Sequence, residues 1–312
     1  MGIPNLNKLF LEKCNNHINK SNLSKYEGKT IVIDTSIYLY KFAGQEKLIE
    51  NFYLLISIFK YYNICPVFVF DGKPPDEKKD LLKKRRLNKK EAEEKYNIKM
   101  KDLENANLSK EDKKEINDEL EKLKKQFVRI NDEKIRKIKQ LLINYSVQYI
   151  DADGEADVVC VNMVINNQAY ACLSDDMDMF LYGCPKVLRY LSILNHTVIE
   201  YDTENILKTL NLSEDEFKKI IVLCGTDYNL KQTFSIKKSL YLHREYTKQK
   251  TEDDFYEWLI KKDFIKDSDI LNETYNIIKS QINSSNQIMN EPNTYCKSEL
   301  IKFLYNYDFI FI

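Results

Sequence analysis

The stretch YACLSDDMDMF, at residues 170–180, places three aspartates directly after an apolar run that is typical of a buried strand. They are Asp175, Asp176 and Asp178. Two carboxylates about 4 Å apart repel each other by roughly 4 kcal/mol at an effective dielectric constant of about 20, so a fold does not collect them for stability. The stretch therefore predicts either a solvated turn or a site where a positive group neutralises the acids.

Five apolar runs predict strands, and helical segments separate some of them. The runs are TIVIDTSI (30–37), CPVFVFDG (65–72), VQYIDA (147–152), AYACLSDD (169–176) and VLRYLS (187–192). They are largely continuous in apolar residues, as expected for a sheet that is covered on both faces. Residues 48–61 and 133–145 have helical spacing. The alternation predicts an α/β fold with a mostly parallel, twisted sheet and helices on both faces.

Two regions depart from this alternation. Residues 76–130 are highly charged and poor in Gly and Pro, and their i,i+4 acid–base pairs support exposed helices, so we expect a helical insert. After Asp227 the chain keeps a helical character, and residues 280–293 read as a polar loop. We expect a core at residues 1–228, which contains the insert, and a helical C-terminal region at residues 229–312.

The composition predicts a soluble protein of a reducing intracellular compartment, the nucleus or the cytoplasm. The 312 residues are 43% hydrophobic and 31% charged, with no signal-like start and no apolar run of about 20 residues. The opening MGIPNL lacks the Ser or Thr of a myristoylation signal. Seven cysteines form no C-x-x-C pair and are expected to be small buried side chains, and three histidines disfavour a zinc or iron site.

The charges are balanced overall but unevenly distributed. A net charge of zero argues against a general nucleic-acid binder. Residues 78–90, KKDLLKKRRLNKK, nevertheless carry eight basic side chains against one acid. Such a run forms a solvated helix face or contacts phosphates. Taken alone, the run favours the solvated face.

Acidic residues recur where the predicted strands and their following turns end. They are Asp34, Asp71, Glu155, Asp157, Asp176, Asp178 and Asp227. Each acid alone is better explained as a helix N-cap or a surface turn, but five separate segments share the pattern. Because the crevice beyond the carboxyl ends of parallel strands binds ligands, the acids are expected to converge there.

An all-carboxylate set without histidine is typical of a site for a hard cation. Magnesium fits this set and manganese is the plausible substitute. Two such ions about 4 Å apart would stabilise the attacking and the leaving oxygen of a phosphoryl displacement. The sequence therefore predicts a site for two Mg²⁺ ions.

With these residues assembled, the sequence resembles the flap endonuclease/XPG family of structure-specific 5′ nucleases over about residues 1–228. The shared motifs are an MGI opening, VIDTSIYLY (32–40), VFDGKPP (69–75), GEAD (154–157), SDDMD (174–178) and LCGTDY (223–228). The resemblance implies a PIN-like nuclease core and magnesium-dependent cutting of DNA with a 5′ flap, nick or branch. The expected roles are replication, repair or recombination, with additional 5′ exonuclease activity left open, and the protein is expected to act as a monomer.

The resemblance also assigns roles to single residues. All seven acids match the family's metal-binding acids, with Asp176 also counted as catalytic, although Asp157 stands where the family usually has Glu. Lys78 and Arg85 match two catalytic basic residues that would stabilise charge on the cleaved phosphate. Tyr40 matches a tyrosine that stacks on the neighbouring nucleotide.

Further DNA-binding positions follow from the same resemblance. Gly2 matches the residue that becomes the N-terminus close to the active site. Residues 76–130 would form a helical arch around a single strand, so that the basic run becomes a funnel for phosphates. The funnel residues are Lys83, Lys84, Arg86 and Lys89, with Lys125 and Arg129 as weaker candidates on the descending side.

The sequence departs from the family pattern after Asp227. The family continues with a glycine-containing helix-hairpin-helix that grips the duplex with a potassium ion, but Gly225 is the last glycine here. A left-handed Asn229 and the charges of Lys237 and Lys238 are the expected substitutes. No glutamine-led sliding-clamp motif is recognisable, and residues 301–312 are expected to pack. Both departures resemble divergent members from large cytoplasmic DNA viruses.

Two other functions remain open at this point. A DNA-binding scaffold with a decayed catalytic site would share the fold, but every family acid position keeps a carboxylate. The other alternative is a glycosyltransferase that binds a nucleotide sugar through the Asp176–Asp178 motif. This interpretation does not explain Asp34 and Asp71.

Overall fold

The computed structural model describes residues 3–105, 110–230, 233–281, 296–307 and 309. Its strands are β1 (Ile18–Asn22), β2 (Thr30–Asp34), β3 (Cys65–Phe70), β4 (Gln148–Asp151), β5 (Ala171–Leu173), β6 (Lys186–Ser192) and β7 (Thr197–Asp202). Helices of the first half are α1 (Leu6–Lys13), α2 (Thr35–Ala43), α3 (Leu48–Tyr61), α4 (Lys79–Asn105), α5 (Lys110–Gln126) and α6 (Asp132–Asn144). Those of the second half are α7 (Ala156–Ile165), α8 (Asp178–Leu181), α9 (Thr203–Leu210), α10 (Glu214–Leu223), α11 (Ile236–Gln249), α12 (Phe255–Lys261), α13 (Asp269–Gln281) and α14 (Lys297–Tyr305).

The seven strands form one mixed sheet in the order β1-β7-β6-β5-β2-β3-β4. Strands β4, β3, β2, β5 and β6 pair in parallel, whereas β7 pairs antiparallel with both β6 and β1. Successive residues of β2 and β3 are buried, so both faces of the sheet are covered at its centre. The predicted α/β class with a mostly parallel sheet is confirmed.

The five predicted strands are all present, four with shorter bounds and β6 with one more residue at its start, and the two antiparallel strands at one side were missed. Strand β1 reads INKSN and has one apolar residue, because it lies at the sheet edge and exposes most of its side chains. Helix α3 covers the predicted residues, and α6 begins one residue before its predicted start.

The chain divides into two compact units, described here for the residues that the structure covers. The first contains those within 1–35, 56–74 and 148–291, and the second those within 36–55, 75–147 and 292–312. The whole sheet belongs to the first unit. Helices α11–α13 belong to it as well, and the expected boundary at residue 228 stays a prediction.

The core of the first unit surrounds α7, whose buried residues are nearly continuous from Ala156 to Val164. A helix that is apolar on all sides is stable only when it is buried on all sides. Helix α1 adds Phe10, whose ring lies 5.1 Å from that of Phe180 and 6.2 Å from that of Phe217. The start of α7 follows β4 at the carboxyl edge of the sheet.

In the second unit, the highly charged segment forms the helical pair α4 and α5. Lys99 forms an ion pair with Glu119, and the rings of Tyr96 and Phe127 meet edge to face at 5.3 Å. The helical character predicted for residues 76–130 is confirmed for its described part.

The C-terminal residues that are described pack as expected. Leu300 and Leu304 on α14 are buried, and the ring of Phe309 lies 5.2 Å from that of Tyr53 in the same unit. Most of the polar loop predicted at residues 280–293 lies outside the described residues. All seven cysteines are free, and five of them are buried. Along the described chain, no helix has both the length and the apolarity to cross a bilayer.

A buried histidine occupies the aromatic cluster between α10, α11 and α12. The ring of His243 lies 5.0 Å from that of Phe255 and 5.8 Å from that of Tyr246, and its Nε2 is 3.5 Å from Oε1 of Glu216. Burial lowers the pKa of His243; the Glu216 carboxylate opposes this shift and Lys219 adds to it.

We expect the protein to lose stability in mildly acidic solution because of His243. The unfolded imidazole takes up a proton near its usual pKa of 6.5, whereas the folded one resists protonation to lower pH, so stability falls as the pH drops below that value. In His243→Phe the difference in melting temperature between about pH 7.5 and about pH 5.5 should shrink. An undiminished difference would assign the pH dependence to other groups. The pKa values of Glu216 and Asp254 are also lowered, but these carboxyl groups change the stability only in a more acidic range than His243 does.

Gly72 is the point where the chain after β3 touches the turn after β4. Its N–H donates to the carbonyl of Gly154 at 2.7 Å, and a Cβ at this position would lie 1.9 Å from the carbonyl oxygen of Ala152. Glycine is therefore required by close backbone approach. The contact fixes the neighbouring Asp71.

Gly72→Ala should destabilise the protein by about 1–3 kcal/mol or more, as for other overpacked sites, because the clash is with backbone. Gly154→Ala is the matched control, since a Cβ there meets nothing within 4 Å. Its effect should stay within about 0.5 kcal/mol. Urea unfolding of both variants measures the difference, and equal stabilities would contradict the assigned contact.

Candidate metal and catalytic site

Six of the seven predicted acids lie at the carboxyl edge of the parallel strands in the first unit. Asp34 ends β2, Asp71 follows β3, and Asp176 follows β5. Glu155 is the N-cap of α7, Asp157 lies in its first turn, and Asp178 begins α8. Because β2, β3 and β5 run in parallel and in register, their carboxyl ends share one edge of the sheet.

Asp157 shows how strongly these acids interact. Its pKa is raised well above the usual range, first by burial and then by the carboxylates of Asp34, Asp176, Asp178 and Asp71. Four of the other six acids are therefore close enough to repel Asp157. Asp34 and Asp178 are themselves buried, which strengthens the repulsion.

Neutral donors of the protein hold several of these carboxylates. The hydroxyl of Ser174 donates to Oδ2 of Asp34 at 3.0 Å, and the N–H of Ala156 donates to Oδ1 of Asp71 at 2.8 Å. The N–H of Asp178 donates to Oδ1 of Asp176 at 3.2 Å. These bonds orient the acids without adding a cationic side chain.

Two tyrosines orient Glu155, and the sequence analysis missed both. The hydroxyls of Tyr182 (3.3 Å) and Tyr228 donate to its Oε2, and the two hydroxyls are 3.0 Å apart. Tyr228 also lies 3.0 Å from Oε1 of Gln281 on α13. Burial, followed by the charge of Glu155, raises the pKa of Tyr182, so this phenol remains a donor. Only the position of Tyr228 directly after Asp227 could have indicated the contact.

Asp227 belongs to the same unit but does not follow a strand. It follows α10 in a turn that begins with Gly225, whose φ is 86°. Its convergence with the other acids stays a prediction.

Asp175, the remaining aspartate of the opening stretch, has a structural contact. Its Oδ1 accepts the N–H of Tyr190 on β6 at 2.7 Å. The three neighbouring aspartates thus have different contacts. Asp175 links the loop to β6, whereas Asp176 and Asp178 belong to the acid cluster.

The described residues contain no group of three or more His, Cys, Asp or Glu side chains arranged as a ready-made metal cage. The cluster still has the chemistry of a hard-cation site, because its donors are carboxylate oxygens whose repulsion a cation relieves. Magnesium usually retains several waters and takes only one or two protein carboxylates, so it does not require a closed cage. The acids fit magnesium by their chemistry, and the ligand assignment stays a prediction.

The basic residues predicted from the resemblance belong to the second unit. Lys78 is buried in a short turn just before α4, and the four successive basic residues at 83–86 are exposed on that helix. Lys125 is exposed near the end of α5, and Arg129 pairs with Glu93.

Lys89 and Tyr40, predicted separately, contact each other. The ammonium of Lys89 lies 4.6 Å from the centre of the Tyr40 ring and donates to the carbonyl of Val128 at 3.1 Å. Burial lowers the pKa of Lys89, and the charges of Arg85 and Arg129 lower it further. Lys89 therefore covers one face of the Tyr40 ring, and the sequence did not indicate this contact.

The residues expected to replace the glycine hairpin are Asn229, Lys237 and Lys238, and the left-handed conformation predicted for Asn229 is wrong. Among the described residues, Asn229 is not one of those with positive φ; it is buried and exchanges backbone hydrogen bonds with Thr226 at 2.9 and 3.1 Å. Lys237 pairs with Glu12 at 3.1 Å, and Lys238 lies 5.2 Å from the ring of Tyr241. Gly2, the remaining predicted position, lies outside the described residues.

Comparison with known families and proteins gives consistent matches. The XPG N-terminal domain matches residues 1–92 and the XPG I-region matches residues 146–227, together more than half of the chain. Flap endonuclease 1 of Zea mays is 33% identical over 248 residues, and that of Drosophila yakuba is 32% identical over 247. Each match covers 73% of this chain but 62% and 60% of the relative, so the chain spans about three fifths of these curated relatives.

Solved structures share the fold at lower identity. The catalytic core of Rad2 in complex with DNA substrate matches with a TM-score of 0.64 at 20% identity, over 95% of this chain and 93% of that one. Flap endonuclease-1 from Methanococcus jannaschii matches with 0.64 at 24%, over the same shares of the two chains. Human GEN1 in complex with Holliday junction DNA matches with 0.65 at 17%, over 99% and 74%. The two matched domains, the acids at the sheet edge and the shared fold agree: this chain belongs to the flap endonuclease/XPG family.

Proposed function

We propose that the chain is a magnesium-dependent, structure-specific 5′ nuclease that hydrolyses phosphodiester bonds of DNA with a 5′ flap, nick or branch. The observation that carries this proposal is the gathering of acids at the carboxyl edge of β2, β3 and β5, where burial, and then four neighbouring carboxylates, raise the pKa of Asp157. Such a cluster is a poor contributor to stability and a suitable host for hard cations. The family relationship and the DNA bound by the Rad2 and GEN1 neighbours support the substrate class.

The residues proposed to hold the metal are those of the acid set. They are Asp34, Asp71, Glu155, Asp157, Asp176, Asp178 and Asp227. A pair of magnesium ions, or manganese in their place, supplies Lewis-acid stabilisation of the oxygens that attack and leave phosphorus. The protein contributes the orientation of the carboxylates, through Ser174, the start of α7 and the hydroxyls of Tyr182 and Tyr228.

The basic side chains of α4 are proposed to bind the phosphate backbone. Lys78 and Arg85 match the positions that neutralise the cleaved phosphate in the family, and this assignment rests on the resemblance. The exposed side chains of Lys83, Lys84 and Arg86 supply a sequence-independent attraction for a single strand. Lys89 would contribute less, since its ammonium is already engaged with Tyr40 and Val128.

A decayed scaffold is the less favoured alternative. Every family acid position keeps a carboxylate, and the structure orients several of them with dedicated hydrogen bonds. DNA binding that persists in chelator, with no cutting in magnesium, would favour this alternative.

Asp176→Asn should abolish cutting of a labelled 5′-flap duplex in magnesium and leave DNA binding nearly unchanged. The substitution removes a carboxylate charge but keeps the side chain's size, and it leaves the basic residues intact. Asp153→Asn is the matched control, because Asp153 is exposed in the turn before α7 and is not a proposed ligand. Intact substrate with the wild-type protein over a broad concentration range would refute the proposed activity.

Binding to flap DNA should depend little on potassium. The reason is that the sequence has no glycine after Gly225, so we do not expect the glycine-containing hairpin that binds this ion in the family. The measurement is DNA affinity with potassium replaced by sodium at constant ionic strength, since total salt alone changes affinity. Strong activation of binding by potassium would show that another part of the chain provides the ion site.

A further inference from the structure

A buried arginine lies behind the loop that carries two of the proposed metal ligands. Arg189 on β6 is only 4% exposed, although arginine is rarely buried to this extent. Strand β6 pairs in parallel with β5, whose end leads into residues 174–178. Arg189 is therefore placed on the strand next to the loop.

The guanidinium of Arg189 contacts the loop at two points. Its Nη2 donates to the carbonyl of Asp175 at 2.6 Å, and its Nη1 lies 2.7 Å from Sδ of Met177. The same Nη1 donates to Oδ1 of Asn7 on α1 at 3.1 Å, and Asn7 also accepts the hydroxyl of Tyr201 at 2.8 Å. One side chain thus links the loop, α1 and β7.

A bulge in β6 supplies a third attachment. The register of β6 against β7 shifts between Arg189 and Ser192, and Tyr190 has a φ of 55°, which is unusual for a bulky residue. This conformation directs the N–H of Tyr190 to Oδ1 of Asp175. The Tyr190 ring lies 4.7 Å from the Arg189 guanidinium. Asp175 is consequently held by both its carbonyl and its carboxylate.

Stability alone does not explain this arrangement. All three hydrogen-bond acceptors of Arg189 are neutral, and its buried Nε has no hydrogen-bond partner among the described residues. Burying a charge is costly, and well-packed apolar residues often replace buried ionic groups without loss of stability. A strained tyrosine beside it adds to the cost, and such strain clusters at functional sites.

We propose that Arg189, together with the Tyr190 bulge, is a positioning residue that fixes the loop so that Asp176 and Asp178 stay oriented for a divalent cation. Asp176 lies between the two anchored residues, Asp175 and Met177, and Asp178 follows directly. Partners behind the ligands commonly set the affinity of a metal site. The inference rests on the proposed function for its cation, but the fixing of the loop can be tested separately.

The test compares Arg189→Met and Arg189→Lys with a matched control. Methionine fills the space without donating hydrogen bonds, and lysine keeps the buried charge but lacks the fork that reaches three acceptors. Lys218→Met is the control, because Lys218 is another buried cation of the first unit and pairs with Glu214. The melting temperature of each variant is measured, so that variants with a similar loss of stability can be compared.

Two readouts without DNA separate positioning from a structural role. Hydrogen exchange of the amides of residues 175–178 should become faster in Arg189→Met and, to a smaller extent, in Arg189→Lys, but not in the control. Mn²⁺ affinity, measured by electron paramagnetic resonance, should fall about 10- to 100-fold in Arg189→Met. Cutting of flap DNA by the same variant should recover as the metal concentration is raised.

Unchanged loop exchange and unchanged Mn²⁺ affinity in a folded Arg189 variant would overturn the inference. So would equal changes in Lys218→Met at matched melting temperature, because they would reflect stability alone. If Arg189→Met does not fold, Arg189→Lys decides between the same outcomes. A wild-type protein that neither binds Mn²⁺ nor cuts flap DNA would refute the proposed function, and the exchange comparison would still decide whether Arg189 fixes the loop.

Discussion

Electrostatic repulsion at one edge of a parallel sheet is the constraint on which the rest of this structure depends. Parallel pairing brings the carboxyl ends of β2, β3 and β5 together, and each of these ends carries an acid. Burial raises the pKa of Asp157, and the repulsion by four neighbouring carboxylates raises it further. Nothing in the packing of an α/β fold requires acids at these positions, so their presence points to a positively charged ligand.

The way in which the acids are held agrees with that conclusion. Ser174, the N–H of Ala156 and the hydroxyls of Tyr182 and Tyr228 are neutral donors, and they orient carboxylates without cancelling their charge. Basic residues are instead concentrated in α4, which belongs to the other unit. The zero net charge of the chain thus conceals an uneven distribution of charge along the sequence.

The sequence predicted the parts of this molecule that local pattern determines. Buried parallel strands are continuous apolar runs, so the centre of the sheet and the acids at its edge were found. Strand β1 was missed because an edge strand with exposed side chains has no such run. The contacts of Asp175, Arg189 and Tyr190 were also missed, because they depend on a bulge that pairs residues far apart in sequence. The left-handed Asn229 failed for a different reason, because local backbone hydrogen bonds with Thr226 determine its conformation.

The substitution of aspartate for the family's usual glutamate at position 157 fits the same electrostatic picture. Asp157 lies in the first turn of α7, where the helix dipole favours a negative charge, yet neighbouring acids and burial still raise its pKa. As a metal ligand, which is its proposed role, a side chain shorter by one methylene would reach less far toward a cation than glutamate. Magnesium retains water molecules and accepts ligands through them, so a water would make up this difference. The change thus preserves the charge at this position and alters only the reach of the carboxylate.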